Sequence, residues 1–171
     1  ADLQQRLTGA AAEVALVARC GEGLAQALDG RVAGLQLLFP DGDMGLVSRF
    51  YNESPGLQAL NQLLSETLQA QLKRLPAGRG LRILEIGAGT GSSTRHLLPV
   101  LPEGRCSYVF TDISPAFLTR AREAFEAHAQ VQYRLLDIEI DPQTQGFEPG
   151  SFDIIVAANA LHATRDLSHT L

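Results

Sequence analysis

A glycine-rich segment is the first feature of this sequence that could do chemistry. A β-rich run at 81–86 contains an acid near its end, and the segment after it reads GAGTG. Glycine adopts left-handed conformations and has no side chain, so such a turn lets backbone come into contact with a ligand. The pattern predicts a site for a nucleotide-like cofactor. The residues expected to contact this cofactor are Glu85, Gly87, Ala88, Gly89 and Gly91.

The spacing of these glycines separates two cofactor classes. The dinucleotide fingerprint is G-x-G-x-x-G/A, with a small third residue that lets helix and strand pack closely. Read from Gly87, the third position is Ser92, and read from Gly89 it is Thr94. Neither residue matches well, whereas G-x-G-x-G after an acid favours S-adenosylmethionine over NAD. A glycine turn without a ligand is the alternative, although clustered glycines are unfavourable in backbone entropy.

Two carboxylates follow the next two predicted strands. Asp112 stands one crossover after the glycine turn, where an acid can accept hydrogen bonds from both ribose hydroxyls. Asp137 follows the third predicted strand and could accept from an adenine amino group, with Ile138 packing on the ring. Ile113 belongs to the same predicted cofactor set. The alternatives are a turn or helix-cap residue for Asp112 and a solvated loop acid for Asp137.

The fourth predicted strand ends in the segment AANALHAT, at 157–164. Its small residues leave room beside a sulfonium group. Asn159 supplies neutral hydrogen bonds, and His162 could act as a base near neutral pH. Position alone leaves a capping or surface role open for His162. The other histidines lack companions at metal-ligand spacing, so we predict no metal site.

These residues need a scaffold that brings the ends of strands together. Short β-rich runs alternate with helical runs from 81 to 171, and the strands are predicted at 81–86, 108–112, 131–136 and 152–158. This alternation predicts an α/β fold with a doubly wound parallel sheet and helices on both faces. Right-handed crossovers then place the loops after the strands along one edge, where ligands bind.

Residues 1–80 are rich in Leu, Ala and Gln with helical spacing, and they are predicted to form a helical lid or linker region. An Ala-rich helix is expected to end at Gly21 and Gly23. The segment Pro40-Asp41-Gly42 predicts a turn. A second helix is expected from Pro55 to about residue 75, because leucines recur there at steps of three or four.

Composition excludes several classes of protein. The chain has 171 residues, of which 45% are hydrophobic and 19% charged, which is enough apolar content for a folded core. Lys and Arg number 14 against 19 Asp and Glu, so we expect no nucleic-acid partner, because phosphate binding needs clustered cations. No apolar stretch approaches the ~20 residues of a membrane span, and no signal peptide opens the chain. Two cysteines fit reduced thiols in a cytoplasmic protein, and the missing initiator Met suggests a piece of something longer.

With these residues in place, the chain resembles the class I S-adenosylmethionine-dependent methyltransferases. More narrowly, it is similar to the C-methyltransferase domains of modular polyketide synthases. The matching segments are LEIGAGTGSST, YVFTDISPAFLTRA, YRLLDIEIDPQTQGF, FDIIVAANALHATRDLSHTL and, in the lid region, FYNESP. The resemblance implies a Rossmann-like core that methylates the α-carbon of a β-ketoacyl chain on an acyl carrier protein, beside neighbouring synthase domains.

The resemblance also implies roles for single residues. The three glycines of the turn would hold the methionine part of the cofactor, Asp112 the ribose, and Asp137 with Ile138 the adenine. Asn159 would lie near the methyl group, and His162 would remove the α-proton of the acyl chain. These assignments place the whole chemistry at one edge of the sheet.

The lid and the end of the chain complete the expectations. Tyr51 is the candidate for closing over the cofactor and the acyl chain. The family has seven strands, and a glutamate after the fifth pairs with the base histidine, so this four-strand piece is expected not to be fully active. Its fourth strand would be an apolar edge that invites association with another chain. The alternatives are a vestigial, non-catalytic domain serving as a structural spacer and a stand-alone small-molecule O- or N-methyltransferase.

Overall fold

The computed structural model describes residues 6–76 and 78–170 of the chain, which divides into two compact units. The first unit is Ala1–Gln62 and the second is Leu63–Leu171. The division lies before the boundary expected near residue 80, and it falls within a helix. The part of this helix after residue 62 belongs to the second unit, where Leu68 is buried in the core together with residues of the strands.

The first unit is helical, as the sequence predicts. Its helices are α1 Ala11–Leu28, α2 Gly34–Leu38, α3 Gly45–Glu53 and the first part of α4, Pro55–Leu72. The predicted end of the first helix at Gly21 and Gly23 is wrong, because α1 continues through both. A Cβ on Gly23 would lie 2.3 Å from Cδ2 of Leu37, so this glycine allows α2 to pack closely on α1. The predicted turn is confirmed at Pro40–Gly42, a short 3-10 segment.

The second unit contains a four-stranded parallel sheet, which confirms the predicted α/β fold. The strands are β1 Leu81–Glu85, β2 Cys106–Asp112, β3 Val131–Leu135 and β4 Ile154–Val156. They lie in the order β3-β2-β1-β4, with every pair parallel. Strand β4 has three residues, fewer than the predicted 152–158. The remaining helices of this unit are α5 Ser92–Leu97, α6 Pro115–Ala124 and α7 Leu167–Thr170.

Alternating side chains of the strands enter two hydrophobic clusters, as the period of two in a strand requires. The first cluster joins one face of the sheet to α4, α5 and α6; its strand members include Ile83, Tyr108, Phe110 and Val156. The second lies on the other face, where Leu84 and Val109 pack against Phe147. That face also carries an apolar groove of about 580 Å³, lined by Leu84, Ile86, Leu136, Ile138, Phe147, Phe152 and Ile155. None of the described helices is both long and apolar enough to cross a membrane.

Candidate functional site

The predicted site residues of the second unit lie at the carboxyl ends of the strands or in the loops that follow them, and these ends meet at one edge because all the strands are parallel. Hydrogen bonds tie the loops there together. The amide of Ala88 donates to the carbonyl of Thr111 at 2.9 Å. The amide of Leu136 donates to the carbonyl of Asp112 at 3.1 Å. The turn after β1 and the segment after β3 are therefore both fixed against the end of β2.

The three glycines of the turn all have positive φ, namely 60° at Gly87, 54° at Gly89 and 74° at Gly91. Two of them are also sites of close packing. A Cβ on Gly87 would lie 2.6 Å from Cβ of Ala160, and one on Gly91 would lie 2.7 Å from the ring of Phe125. At Gly89 the nearest atom would be 3.8 Å away. The backbone at Gly89 is thus open enough for a ligand to approach. Gly87 and Gly91 instead allow close packing against Ala160 and Phe125.

Asp112 fixes the turn with its side chain. The carboxylate is buried, with 6% of the residue exposed, and its two oxygens accept from two different loops. Oδ2 accepts from the amide of Gly89 at 2.9 Å, and Oδ1 accepts from the amide of Ser114 at 2.8 Å. A carboxylate oxygen has room for a second hydrogen bond, so the capping role leaves an acceptor on each oxygen for a ligand hydroxyl. Ile113, the next residue, is 66% exposed and offers an apolar surface at the same edge.

Glu85 lies in the interior at the end of β1, with 1% of the residue exposed. Its Oε2 accepts from the hydroxyl of Thr94 and from the hydroxyl of Tyr108, each at 2.6 Å. Burial raises the pKa of this carboxyl, the two hydroxyls act in the opposite direction, and the charge of Asp112 raises the pKa further. Sequence reasoning missed Thr94 and Tyr108, and the polar tyrosine inside an apolar strand was the available signal. A contact of Glu85 with the cofactor stays a prediction.

The loop after β3 is built around Asp137. Gln145 holds the backbone of this residue from both sides: the Asp137 amide donates to Oε1 at 2.9 Å, and Nε2 donates to the Asp137 carbonyl at 2.8 Å. Oδ1 of Asp137 accepts from the amide of Glu139, which forms a tight turn. Ile138 is half-buried, packs on the second cluster and lines the apolar groove. Adenine binding by Asp137 and Ile138 stays a prediction.

The loop after β4 carries Asn159 and His162. Asn159 is exposed and has a positive φ of 56°, a conformation that asparagine tolerates better than most residues. The packing of Ala160 on Gly87 brings this loop beside the glycine turn. His162 is exposed in the 3-10 segment Leu161–Ala163, and its ring makes no hydrogen bond to any residue that the structure describes.

Glu139, two residues after Asp137, is a further residue at this edge that the sequence pattern does not single out. Its carboxylate accepts from the backbone amide of Arg165 and lies 3.6 Å from the Arg165 guanidinium. Arg165 follows the segment of His162, so this contact ties the loop after β3 to the loop after β4. The bond could not be read from the sequence because its partners are far apart along the chain.

Tyr51 lies in the first unit, near the end of α3, where its ring meets Phe50 edge to face at 5.3 Å. Its predicted role as a lid over the cofactor stays a prediction. Within the described residues, no cluster of His, Cys, Asp or Glu has the arrangement that could hold a metal ion.

Comparison with known proteins places these features in a family. A family model described as a methyltransferase domain matches residues 84–171. The reducing polyketide synthase ppsB of Aspergillus oryzae is 38% identical over 152 residues, which are 88% of this chain and 6% of the synthase. The crystal structure of the CurJ carbon methyltransferase has a TM-score of 0.94 and 39% identity over 99% of this chain and 45% of its own.

A further solved relative was crystallised with a ligand. The trans-methyltransferase CalH, in complex with SAH, has 37% identity and a TM-score of 0.73 over 99% of this chain and 46% of its own. The chain therefore spans less than half the length of these solved methyltransferases. It spans about 6% of the length of the synthase.

Proposed function

Because the chain belongs to the methyltransferase domain family, we propose that it is the lid and cofactor-binding part of a polyketide synthase C-methyltransferase. In this proposal a methyl group passes from S-adenosylmethionine to the α-carbon of a β-ketoacyl chain on an acyl carrier protein. The observation that carries the proposal is the hydrogen bond from the Gly89 amide to Asp112, which joins an open glycine turn to an acid at the next strand end. The chain is 39% identical to the CurJ carbon methyltransferase, which supports carbon as the atom that accepts the methyl group.

The residues at this edge fit S-adenosylmethionine. Gly89 presents backbone with no atom within 3.8 Å of its missing Cβ, so the methionine part can approach the chain closely. Asp112 keeps acceptor capacity on both oxygens for the ribose hydroxyls. Ile113 and Ile138 supply apolar surface for a flat adenine ring. When bound, this cofactor supplies an electrophilic methyl group on a cationic sulfonium.

His162 is the proposed base. An unprotonated ring nitrogen of His162 takes the acidic proton that lies between the two carbonyls of the acyl chain, leaving an enolate whose α-carbon is the nucleophile. Exposure of the ring gives a carrier-bound chain access to it. Asn159 lies near the transferred methyl and donates neutral hydrogen bonds, and Tyr51 closes over the reactants. Because no described residue orients the imidazole, we expect the 171-residue chain to be a weak catalyst.

The proposed partners follow from this chemistry. An acyl carrier protein presents the substrate, and neighbouring domains of the synthase surround the methyltransferase. The outer edge of β4 pairs with another strand, since an apolar strand at a sheet edge is a template for association. The proposed location is the cytoplasm.

Calorimetric titration with S-adenosylmethionine tests cofactor binding. The wild-type chain is expected to bind at micromolar levels, and Asp112→Asn is expected to weaken binding at least about tenfold, because charge-assisted hydrogen bonds to the ribose are lost. The matched control is Asp153→Asn, which removes a carboxylate that accepts a backbone hydrogen bond at the opposite end of β1. A correctly folded wild-type chain that binds no cofactor would contradict the proposal and favour a vestigial domain.

The methylated atom decides between the enzyme classes. Incubation with a β-ketoacyl chain on a carrier protein, followed by mass spectrometry of the released acyl group, is expected to show a new α-methyl branch. His162→Ala is expected to abolish this product while cofactor affinity stays unchanged. Methylation of an oxygen or nitrogen in place of the α-carbon would instead support a small-molecule methyltransferase.

A further inference from the structure

The short turn that carries His162 is anchored on both sides. Residues 161–163 form a single 3-10 turn. Before this turn, Ala160 packs against the glycine turn after β1. After it, the backbone amide of Arg165 donates to the carboxylate of Glu139 in the loop after β3. Because the turn is so short, these two anchors together fix where the side chain of His162 lies along the edge of the sheet.

The contact between Glu139 and Arg165 has two parts of unequal strength. The guanidinium lies 3.6 Å from Oε2 of Glu139, but the arginine side chain is 93% exposed, and surface ion pairs contribute little. The backbone amide of Arg165 donates directly to Oε1. A hydrogen bond to a charged acceptor is about twice as strong as a neutral one. The link between the loops therefore depends on the carboxylate and the backbone, and the arginine side chain adds little to it.

Glu139 is itself held in place by a network of side-chain hydrogen bonds. The side chain of Gln145 accepts from the amide of Asp137 at 2.9 Å. It also donates to the carbonyls of Asp137 and Ile140, at 2.8 Å and 3.0 Å. These bonds hold the backbone on both sides of Glu139. Arg134 of β3 in turn donates to the carbonyl of Gln145 at 3.1 Å, so the network connects Glu139 to the sheet.

The place of this contact in the sheet favours a role at the site over a role in the fold. Strands β3 and β4 are the two ends of the order β3-β2-β1-β4, so about 14 Å of sheet separates them and strand pairing does not bring their loops together. The side chain of Glu139 is 32% exposed, and a contact this exposed contributes little to the stability of the fold. Its clearest effect is to hold the loop after β4.

We propose that Glu139 is a positioning residue that holds the turn of His162 at the carboxyl edge of the sheet and couples it to the loop of Asp137. This role rests on the proposed function, which takes His162 as the base and Asp137 as part of the cofactor site. Glu139 touches neither substrate nor cofactor and acts through the backbone of Arg165. A cofactor bound against the loop after β3 then also stabilises the loop after β4, so the base is ordered when the methyl donor is in place.

Hydrogen exchange followed by mass spectrometry tests this link in the free chain. Glu139→Ala removes the acceptor of the Arg165 amide. Exchange in peptides covering 160–166 is expected to become about tenfold faster, as the loss of a charge-assisted hydrogen bond predicts. Peptides from β1 and β2 are expected to exchange as in the wild type, because the described hydrogen bonds of Glu139 involve only the two loops.

Two further variants separate the carboxylate from the ion pair. Glu139→Gln keeps an oxygen acceptor in the same place, so exchange is expected to return most of the way to the wild-type rate. Arg165→Ala keeps the backbone amide and loses only the guanidinium. It is the matched control and is expected to exchange like the wild type. Arg165→Ala exchanging as fast as Glu139→Ala would overturn the proposal, because the surface ion pair would then be the link.

Addition of S-adenosylhomocysteine tests the coupling between the loops. In the wild type, the bound ligand is expected to slow exchange in peptides covering 160–166 as well as in the glycine turn. In Glu139→Ala, slow exchange is expected to persist in the glycine turn and to be lost at 160–166, with little change in affinity. A merely structural role would lower affinity and protection together.

The rate of methyl transfer gives a second readout. With a β-ketoacyl carrier protein as substrate, Glu139→Ala is expected to lower kcat about tenfold and to leave the KM for S-adenosylmethionine nearly unchanged, since the base and not the cofactor is displaced. Glu126→Ala, which removes an exposed acid elsewhere in the second unit, should change neither value. A rise in KM with kcat unchanged would contradict the role of Glu139 in positioning the base.

The outcomes separate this role from the proposed function. A folded wild-type chain that binds no S-adenosylhomocysteine defeats the proposed function itself. A wild-type chain that binds the ligand, with Glu139→Ala still protected at 160–166, overturns the positioning role alone. Faster exchange throughout the second unit of Glu139→Ala also overturns it, because Glu139 would then support the whole fold. Where too little product forms to measure kcat, the ligand-dependent exchange decides.

Discussion

Opposing effects act on the Glu85 carboxyl within the second unit. Burial, the largest effect, raises its pKa above the ordinary value of 4.5, and the hydrogen bonds from Thr94 and Tyr108 only partly offset this rise. The folded state therefore binds a proton more tightly than the unfolded chain does. The free energy of unfolding must fall as pH rises from the unfolded pKa through the raised folded pKa. The buried Glu85 carboxyl thus makes the fold less stable at higher pH.

Replacing Glu85 by glutamine should remove this dependence. The amide oxygen of Glu85→Gln can still accept from the two hydroxyls, but the side chain has no charge to bury. We expect urea unfolding to show that the difference in stability between variant and wild type shifts in favour of the variant as pH rises from about 5 to about 8. Glu126→Gln, on an exposed residue, should leave the difference constant. A constant difference for Glu85→Gln would contradict the assigned burial effect.

The two glycines Gly89 and Gly91 allow backbone strain to be separated from packing. Both have positive φ, so alanine at either position is expected to lose about 1–2 kcal/mol of stability. At Gly91 the new Cβ would also lie 2.7 Å from the ring of Phe125, which adds about 1–3 kcal/mol of overpacking. Urea unfolding should therefore show Gly91→Ala as clearly less stable than Gly89→Ala. Equal losses would mean that the Phe125 ring moves aside freely.

At the scale of elements, the sequence predicts the strands well because their signals are local. Residues 81–86 and 108–112 are short segments rich in β-branched, aromatic and other apolar residues, and β1 and β2 lie there. The sequence predicts too early an end for α1, because glycine usually ends a helix. At Gly23 the close approach of Leu37 determines the residue instead. Helix α3 has nine residues and no side-chain cap, so no capping residue marks its start in the sequence.

In the candidate site, too, the features with local sequence signals could be predicted and those that depend on tertiary contacts could not. The turn at the glycines and the place of Asp112 at a strand end could be predicted, because both are visible in the local sequence. The hydrogen-bond partners of Tyr108 and Glu139 could not be predicted, since they are brought together by the parallel pairing of strands and by loops distant along the chain. Contacts between distant segments follow from tertiary packing and leave no periodic pattern to read.

The start of β4 is held to β1 by an ion-paired carboxylate. Oδ2 of Asp153 accepts from the amide of Arg82 at 2.9 Å, and Oδ1 accepts from Arg79 at 3.1 Å. These bonds lower the pKa of Asp153, the backbone bond from Arg82 most strongly. A lowered pKa means that the stabilisation is complete above the unfolded pKa of 3.8 and is lost as pH falls through the folded value.

Asp153→Asn should therefore destabilise the chain at neutral pH and have a much smaller effect at about pH 3. Thermal unfolding at both pH values measures this difference. Asp29→Asn breaks an exposed ion pair with Arg31 in the first unit, and it should have little effect at either pH, as surface pairs contribute little. A loss of equal size at both pH values would show that the charge of Asp153 does not tie the two strands.

At the scale of the whole molecule, the sheet has one edge that its own residues do not protect. Strand β4 lies at the end of the order β3-β2-β1-β4, and no described strand pairs with its outer side. Ile155, in the middle of β4, is 61% exposed and lines the apolar groove on the second face. Natural sheets place charges, prolines or bulges at such edges to prevent pairing between chains. Residues 154–156 are Ile-Ile-Val, so β4 contains neither a charged residue nor a proline.

We therefore expect the isolated chain to self-associate through β4 as its concentration rises. Multi-angle light scattering should show a mass above 18.4 kDa that increases with concentration. Ile155→Lys places a charge on this edge and should return the chain to the monomer. The control is Leu60→Lys, which removes an apolar side chain of nearly the same exposure from the first unit and should leave the association intact. A single monomeric mass at every concentration would contradict pairing through β4, since the unprotected edge would then be too short to hold a second copy.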